Sequence, residues 1–141
     1  LAALIEAQRC NELPIRIVGV FSDHFDCGAI SLAQAAGIAV CTLDARDFPD
    51  RAEFDRATFA QVAAWKPDLI VLDVVMPGRN GFQACRDLKS DDRFKGIPIV
   101  LCTSKGQESD KFWGQQQGAN GYVVKPFKAE DLVAAVKRAL N

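Results

Sequence analysis

Two features are missing from this sequence: an excess of charge of one sign and a long apolar run. Its 17 lysines and arginines are interspersed with 18 aspartates and glutamates, for a formal net charge of −1. This balance excludes the basic face that binding to a phosphate backbone requires, so we predict no direct nucleic-acid partner. No apolar stretch has membrane-spanning length, and no basic segment followed by a hydrophobic run opens the chain. We therefore predict no membrane contact and a cytoplasmic location.

Metal-binding patterns of cysteine and histidine are missing as well. No two cysteines have the C-x-x-C spacing, and the single histidine, His24, is joined by one cysteine, Cys27, in an H-x-x-C pattern. Two ligands do not make a zinc site, so we predict that His24 is a solvated loop residue. The cysteines are predicted to be reduced, buried thiols. They are Cys10, Cys27, Cys41, Cys85 and Cys102.

Short apolar runs alternate along the chain with amphipathic segments. The runs are rich in valine, isoleucine and leucine, which is typical of parallel strands buried on both faces. The predicted strands are 15–21, 39–43, 68–74, 97–102 and 121–124. The predicted helices are 1–9, 28–36, 52–65, 82–90, 108–117 and 129–140. This rhythm predicts one doubly wound α/β domain over residues 1–141, with a five-stranded parallel sheet in the order 2-1-3-4-5 and an extra N-terminal helix.

Three of these strands end near polar side chains of complementary chemistry. The third strand ends at Asp73, the fourth is followed by Thr103 and Ser104, and the fifth is followed by Lys125. The carboxyl ends of parallel strands meet at one edge of a sheet, so we expect these side chains to converge there. A carboxylate, hydroxyl groups and an ammonium group are the set that a phosphoryl-transfer site requires.

The motifs around these residues resemble those of a known family. The strings DLIVLDVVMPGRNG, PIVLCTS and GANGYVVKPF, within residues 66–141, are similar in order and spacing to the receiver domain of two-component response regulators, which has a flavodoxin-like (CheY-like) fold. The stretch SKGQESDKFWGQQQGA is similar to the twitching-motility, type IV pilus subgroup.

The resemblance to receivers implies a role for each residue of the predicted site. Asp73 would be the phosphoacceptor, Thr103 and Lys125 would contact the phosphoryl group, and Thr103 and Tyr122 would form the switch. A cis bond between Lys125 and Pro126 is also implied. The implied partner is a histidine kinase, and the implied cofactor is Mg²⁺.

The first half of the chain departs from the receiver pattern at the metal site. A receiver ends its first strand with two adjacent acidic residues that hold Mg²⁺, whereas Asp23 and Asp26 are separated here. Asp73, Asp23 and the backbone carbonyl of Val75 remain as predicted ligands, and we expect only weak binding. Asp26 is predicted instead to cap the helix that begins at Gly28.

Residues 1–72 resemble a different α/β family. The strings AALIEAQ, IVGVFSD, LAQAAGIAV and FPDRAEFD are similar to phosphoribosylglycinamide formyltransferase of purine synthesis. Both families can carry the string KPDLIVL at residues 66–72, which makes it a natural crossover. The phosphate loop of that family would lie upstream of Leu1, and its catalytic Asn, His and Asp would follow the crossover. Neither set is present in this sequence, so we predict that the chain is not an enzyme.

Three hypotheses about function follow. The first is an artificial chimera of a formyltransferase-derived half (1–65) and a receiver-derived half (66–141), with a partial site at Asp73 and no selected activity. The second is a functional receiver phosphorylated on Asp73 in two-component signalling, and the third is a formyltransferase. The splice and the incomplete metal site favour the first hypothesis, and they predict slow or undetectable phosphorylation of Asp73.

Overall fold

The protein is described by a computed structural model. It covers residues 1–23, 28–73, 75–76, 79–104 and 107–140. For residues 75, 76, 79 and 80 it describes the backbone alone. The chain divides into two compact units, Leu1–Pro67 and Asp68–Asn141. This division falls close to the boundary between residues 65 and 66 at which the two predicted halves meet.

The first unit combines helices with a pair of parallel strands. Its elements in chain order are α1 (Ala2–Arg9), β1 (Val20–Ser22), α2 (Gly28–Ala35), β2 (Val40–Thr42), a 3-10 turn (Ala45–Asp47) and α3 (Arg51–Ala64). β1 pairs with β2 so that Val20 lies opposite Val40 and Ser22 opposite Thr42. Buried apolar side chains, most of them on helices, form the core of this unit. They are Leu4, Ala7, Leu13, Ile30, Ala33 and Phe54.

The start of α3 follows from its sequence. Asp50 precedes the helix, and its carboxylate accepts a hydrogen bond from the Glu53 N–H at 2.9 Å. This side chain satisfies one of the backbone donors that the first turn of a helix leaves free. One turn later the buried Phe54 ring lies 5.6 Å from the Phe48 ring, edge to face, and 6.5 Å from the Phe21 ring. These aromatic contacts join α3 to β1.

β1 is shorter than the strand predicted at residues 15–21. The Ile17 N–H donates to Oε1 of Gln8 at 3.2 Å, so α1 takes a donor that a strand ladder would use. A Cβ built at Gly19 would lie 2.4 Å from the Trp65 ring, so that ring covers the backbone directly. Gln8 of α1 and Trp65, which follows the end of α3, both contact residues 17–19. The regular β-ladder therefore begins only at Val20.

The second unit is built around three parallel strands. Its elements in chain order are β3 (Ile70–Asp73), β4 (Val75–Met76), β5 (Arg79–Asn80), α4 (Gly81–Ser90), β6 (Ile99–Thr103), α5 (Glu108–Gln116), β7 (Gly121–Val124) and α6 (Ala129–Leu140). The parallel strands lie in the order β3-β6-β7, and β4 and β5 form a short antiparallel ribbon. β6 has a neighbour on each side and is buried along its whole length. Such a strand is expected to be the continuous apolar run that the sequence shows.

The predicted fold class is confirmed, while the predicted single sheet differs from the observed one. As predicted, β1 lies beside β2, the strands β3, β6 and β7 follow one another, and all these pairings are parallel. Within the described ranges, however, hydrogen bonds join the strands into a pair and a trio rather than one sheet of five. β1 and β2 pair over three residues each, fewer than the strands of residues 15–21 and 39–43 predicted from the sequence.

The helices of the second unit bury one face each. α6 has the predicted bounds and buries Leu132, Val133 and Val136, with acidic residues in its first turn and basic residues in its last. That charge distribution is favourable for the helix dipole. No helix in the described part of the chain is both long enough and apolar enough to cross a membrane.

The burial of the cysteines varies along the chain. Cys85 and Cys102 are buried as predicted, whereas Cys41 is half-buried and Cys10 is exposed. The prediction of buried thiols is therefore wrong for Cys10, because this residue follows the last turn of α1 at the surface. All four are free thiols, and Cys27 lies outside the described residues.

Cys85 makes the stability of the protein sensitive to alkaline pH. Burial raises the pKa of its thiol from 9.0 to about 11, and the charge of Lys89 acts in the opposite direction. Between these two values the unfolded state binds fewer protons than the folded state, so stability falls as the pH rises. We expect the free energy of unfolding in urea to fall by on the order of 2 kcal/mol from this residue over that range.

The matched variant is Cys85→Ala, which lacks the titrating group. Its free energy of unfolding should depend less steeply on pH than that of the wild type over the same range. Parallel pH profiles for the two proteins would show that the Cys85 thiol keeps its ordinary pKa in the folded state.

Candidate functional site

The carboxyl ends of β3, β6 and β7 lie at one edge of the sheet in the second unit. Asp73 ends β3 opposite Cys102, and Thr103 ends β6 opposite Val124, the last residue of β7. Lys125 follows directly. The parallel register therefore brings the predicted carboxylate, hydroxyl and ammonium groups to the same edge.

Asp73 and Lys125 are in direct contact at this edge. Nζ of Lys125 donates to Oδ2 of Asp73 at 2.8 Å, across 52 residues of sequence. The backbone N–H of Lys125 donates to the Thr103 carbonyl at 2.6 Å, which fixes the point where the lysine leaves the sheet. The Lys125–Pro126 bond is cis, as the resemblance implied. The side chains of Lys125 and Asp73 are 44% and 41% exposed, so a small molecule in solvent can reach the carboxylate.

Thr103 and Tyr122, the predicted switch residues, interact across neighbouring strands. Thr103 is fully buried, and Tyr122 on β7 is half-buried. Burial and the negative charge of Asp110 raise the pKa of Tyr122, while a hydrogen bond from the Thr103 hydroxyl acts in the opposite direction. Thr103 therefore connects the edge that carries Asp73 with a tyrosine ring near the surface.

The predicted magnesium ligands come from both units. Asp23 follows β1 in the first unit, whereas Asp73 and Val75 belong to the second. Among the residues that the structure describes, no group of three or more His, Cys, Asp or Glu side chains could hold a metal ion. The second unit itself offers the carboxylate of Asp73 and the backbone carbonyl of Val75. Both are hard oxygen donors, and they fit a weak Mg²⁺ site that keeps several waters.

Two residues near the site were not predicted from the sequence. Cys102 lies opposite Asp73 in the ladder, and burial raises the pKa of its thiol, with Lys125 acting against that shift and Asp73 adding to it. Gly114 is buried in α5, where it faces the ring of Tyr122. The only indication of Gly114 in the sequence was a glycine inside a predicted helix. Cys102 is identified only by its position opposite Asp73 in the strand register.

Two further sequence-based predictions concern residues outside the described ranges. The loop position predicted for His24 and the helix cap predicted for Asp26 both fall on residues 24–27. Ser104, the other hydroxyl predicted near the strand ends, is exposed.

Two family models match the chain. The response regulator receiver domain matches residues 50–137, more than half of the sequence, and the formyl transferase model matches residues 1–76. The matches overlap at residues 50–76, which include the string KPDLIVL. That one family was spliced into the other stays a prediction.

Three known proteins are similar to part of the chain. Protein PilH of Pseudomonas aeruginosa is 47% identical over 75 residues, which are 53% of this chain and 62% of PilH. The phosphate regulon transcriptional regulatory protein PhoB of the same organism is 42% identical over 90 residues, 64% of this chain and 39% of PhoB. The DNA-binding response regulator MtrA of Mycolicibacterium smegmatis is 45% identical over 76 residues, 54% of this chain and 32% of MtrA. The chain therefore spans less than two thirds of each relative.

Solved structures extend the likeness to most of the chain. The BeF3-activated N-terminal receiver domain of Klebsiella pneumoniae RstA has a TM-score of 0.60 at 26% identity, covering 88% of this chain and 97% of that one. The chemotaxis protein CheY4 of Vibrio cholerae has a TM-score of 0.61 at 27% identity, covering 89% and 100%. Because the receiver model matches more than half of the sequence and these structures share its fold, the chain belongs to the response regulator receiver domain family.

Proposed function

We propose that this chain acts as a receiver in two-component signalling and is phosphorylated on Asp73 by a histidine kinase. The observation that carries the proposal is the 2.8 Å contact between Nζ of Lys125 and Oδ2 of Asp73 at the carboxyl edge of the sheet. A partly exposed carboxylate can act as a nucleophile, and the adjacent ammonium group can balance the charge of a phosphoryl group. The family match favours this function over the hypothesis of a chimera without selected activity.

The proposed reaction is a phosphoryl transfer to the carboxylate. An oxygen of Asp73 forms a bond to phosphorus while the bond between phosphorus and the donor breaks, and the electron pair of that bond leaves with the donor. The donor atom is a nitrogen in a phosphohistidine and an oxygen in acetyl phosphate. Lys125 then contacts the phosphoryl oxygens, which carry the charge that the carboxylate held before.

We infer that Thr103 transmits the change of charge at Asp73. Its hydroxyl now forms a hydrogen bond with the side chain of Tyr122, and a phosphoryl group at the same edge would compete for that hydroxyl. Hydrogen bonds to charged acceptors are the stronger ones, so Thr103 would turn toward the phosphoryl oxygen. Tyr122 would lose its partner and move, which would change the surface formed by the last helices.

We propose that Mg²⁺ binds weakly at this edge. Asp73 and the backbone carbonyl of Val75 would hold it, with water in the remaining positions. When bound, the metal supplies charge neutralisation at the transferred phosphoryl group. The ammonium group of Lys125 supplies positive charge at the same edge without a bound metal. Asp23 stays a predicted further ligand.

We propose that the first half of the chain contributes structure rather than formyl transfer. Residues 1–76 match the formyl transferase model, which supports a common origin with that family. We predict from the resemblance that the catalytic Asn, His and Asp of that family do not follow the crossover in this chain.

We also propose that the chain does not bind nucleic acid directly. PhoB is named a transcriptional regulatory protein and MtrA a DNA-binding response regulator, but the match covers only 39% and 32% of them. The interspersed charges and the net charge of −1 support the same proposal for this chain.

Acetyl phosphate tests the phosphoacceptor without a kinase. In the presence of Mg²⁺ we expect the protein to gain the mass of one phosphoryl group, slowly, because the described metal ligands are few. Asp73→Asn should gain none, since an amide is a poor nucleophile. Asp68→Asn removes an exposed carboxylate just before the same strand and should behave as the wild type. Mass spectrometry of the intact protein measures all three, and labelling that survives Asp73→Asn would remove Asp73 from the mechanism.

Replacing Lys125 separates its chemical role from its effect on stability. We expect Lys125→Met to slow labelling by at least about tenfold, since one ammonium group near the developing charge is lost. Stability should change by less than about 1 kcal/mol, because both partners of the ion pair are partly exposed. Lys128→Met, at an exposed lysine three residues later, is the matched control. Equal labelling rates for the two variants would contradict the assigned role of Lys125.

Formyl transfer has its own test. Pure protein incubated with a formyl-folate donor and glycinamide ribonucleotide should give turnover no greater than buffer, because we predict that the chain lacks the catalytic Asn, His and Asp of that family. Chromatographic detection of the formylated product decides the question, with a genuine formyltransferase as the positive control. Product above the buffer level would restore the third hypothesis.

A further inference from the structure

Neither the solvent exposure nor the backbone conformation of residue 114 explains why it is a glycine. It is buried within α5, while the residues on either side of it, Trp113 and Gln115, are exposed. Its φ lies outside the left-handed range, so an L-residue can adopt its backbone conformation. Glycine is a poorer helix former than alanine, and the helix therefore loses stability by having it. A reason for the glycine must lie in its surroundings.

The space beside Gly114 is already filled by the ring of Tyr122. A Cβ built on Gly114 would lie 3.1 Å from both Cδ2 and Cε2 of that ring, and 3.2 Å from Cδ1 of Leu101. These separations are shorter than carbon atoms normally adopt in packed interiors. Even a methyl group at this position would therefore displace one of its two neighbours.

Tyr122 is the neighbour that can move. Leu101 is fully buried in β6, the central strand of the trio, with strands on both sides of it. Tyr122 is half-buried on β7, which lies at the end of the strand order. A close-packed interior resists displacement of a buried side chain, whereas a ring near the surface can turn toward solvent.

We propose that Gly114 is a positioning residue that allows the Tyr122 ring to pack inward, within reach of the Thr103 hydroxyl. The proposal deepens the switch described above and rests on it for its regulatory meaning. A side chain at residue 114 requires the ring to give way toward solvent, which weakens its contact with Thr103. The position of Tyr122 then no longer depends on the state of Asp73.

The composition of the chain supplies a specific probe, because Tyr122 is its only tyrosine. Protein grown with a fluorinated tyrosine gives one fluorine resonance, which reports the surroundings of this ring alone. We expect Gly114→Ala to move that resonance toward the position of the unfolded protein and to increase its shift between H₂O and D₂O. Gln115→Ala, at an exposed position of the same helix, should leave both unchanged.

A second readout on the same proteins is the alkaline titration of the phenol, followed by tyrosinate absorbance. Burial raises the pKa of Tyr122 in the wild type, so an outward ring should titrate closer to its ordinary value in Gly114→Ala. An unchanged resonance together with an unchanged titration in this variant would overturn the proposal.

A double-mutant cycle keeps the proposal testable if Gly114→Ala folds poorly. In the wild-type background the added methyl group meets the ring, and the urea midpoint should fall. In the Tyr122→Ala background the ring is absent, and the same change should raise the midpoint, since alanine favours the helix. Equal effects in the two backgrounds would show that the glycine is unrelated to the tyrosine.

Failure of this proposal and failure of the phosphoacceptor can be told apart. The fluorine resonance and the midpoints are measured without phosphoryl donor, so they test the packing alone. If the ring moves in Gly114→Ala but the wild type is never labelled by acetyl phosphate, the packing role stands and the signalling function fails. If the wild type is labelled and its resonance shifts on labelling, Gly114→Ala should show a shift at least severalfold smaller.

Discussion

The parallel register of β3, β6 and β7 is the constraint on which the site depends. Asp73 faces Cys102 in the ladder and Thr103 faces Val124, so Lys125 emerges beside the carboxylate. A slip of this register by one residue would turn every side chain of the slipped strand to the opposite face of the sheet and separate the ion pair. The uniformly buried β6 opposes such a slip, because its apolar side chains contact the core on both faces. The chemistry at the edge is thus a consequence of packing in the middle of the sheet.

How much of this could be predicted from the sequence depends on how local the determining contacts are. β7 and α6 have the predicted bounds. The spacing of their apolar residues and the residues that flank them determine each element within a short stretch of sequence. Residues 15–19 carry a strand pattern but are engaged by Gln8 and Trp65, which are distant in sequence, and no local rule reveals those contacts. The convergence of Asp73 and Lys125 was expected from the strand ends alone, whereas the fit between Gly114 and Tyr122 is visible only in the structure.

The two family models overlap at residues 50–76, and the boundary between the two compact units, Pro67 to Asp68, lies within that overlap. Each unit has its own parallel strands and its own buried apolar side chains. This layered architecture is common to α/β families. A short strand such as KPDLIVL meets the needs of either family, since a buried parallel strand mainly requires apolar length. The residues with chemical roles are less interchangeable. They lie at strand ends, and the structure brings into contact Asp73 and Lys125, which the resemblance to receivers singled out.

The long separation between Asp73 and Lys125 has a consequence for the chain during its synthesis. The carboxylate is translated 52 residues before the ammonium group that contacts it, and β6, α5 and β7 must all form between them. Closing so long a loop carries an entropic cost that only the completed sheet can offset. A nascent chain on the ribosome therefore carries Asp73 as an ordinary solvated acid. Truncated products that end before residue 125 lack the ammonium group altogether, so only the finished chain can form this ion pair.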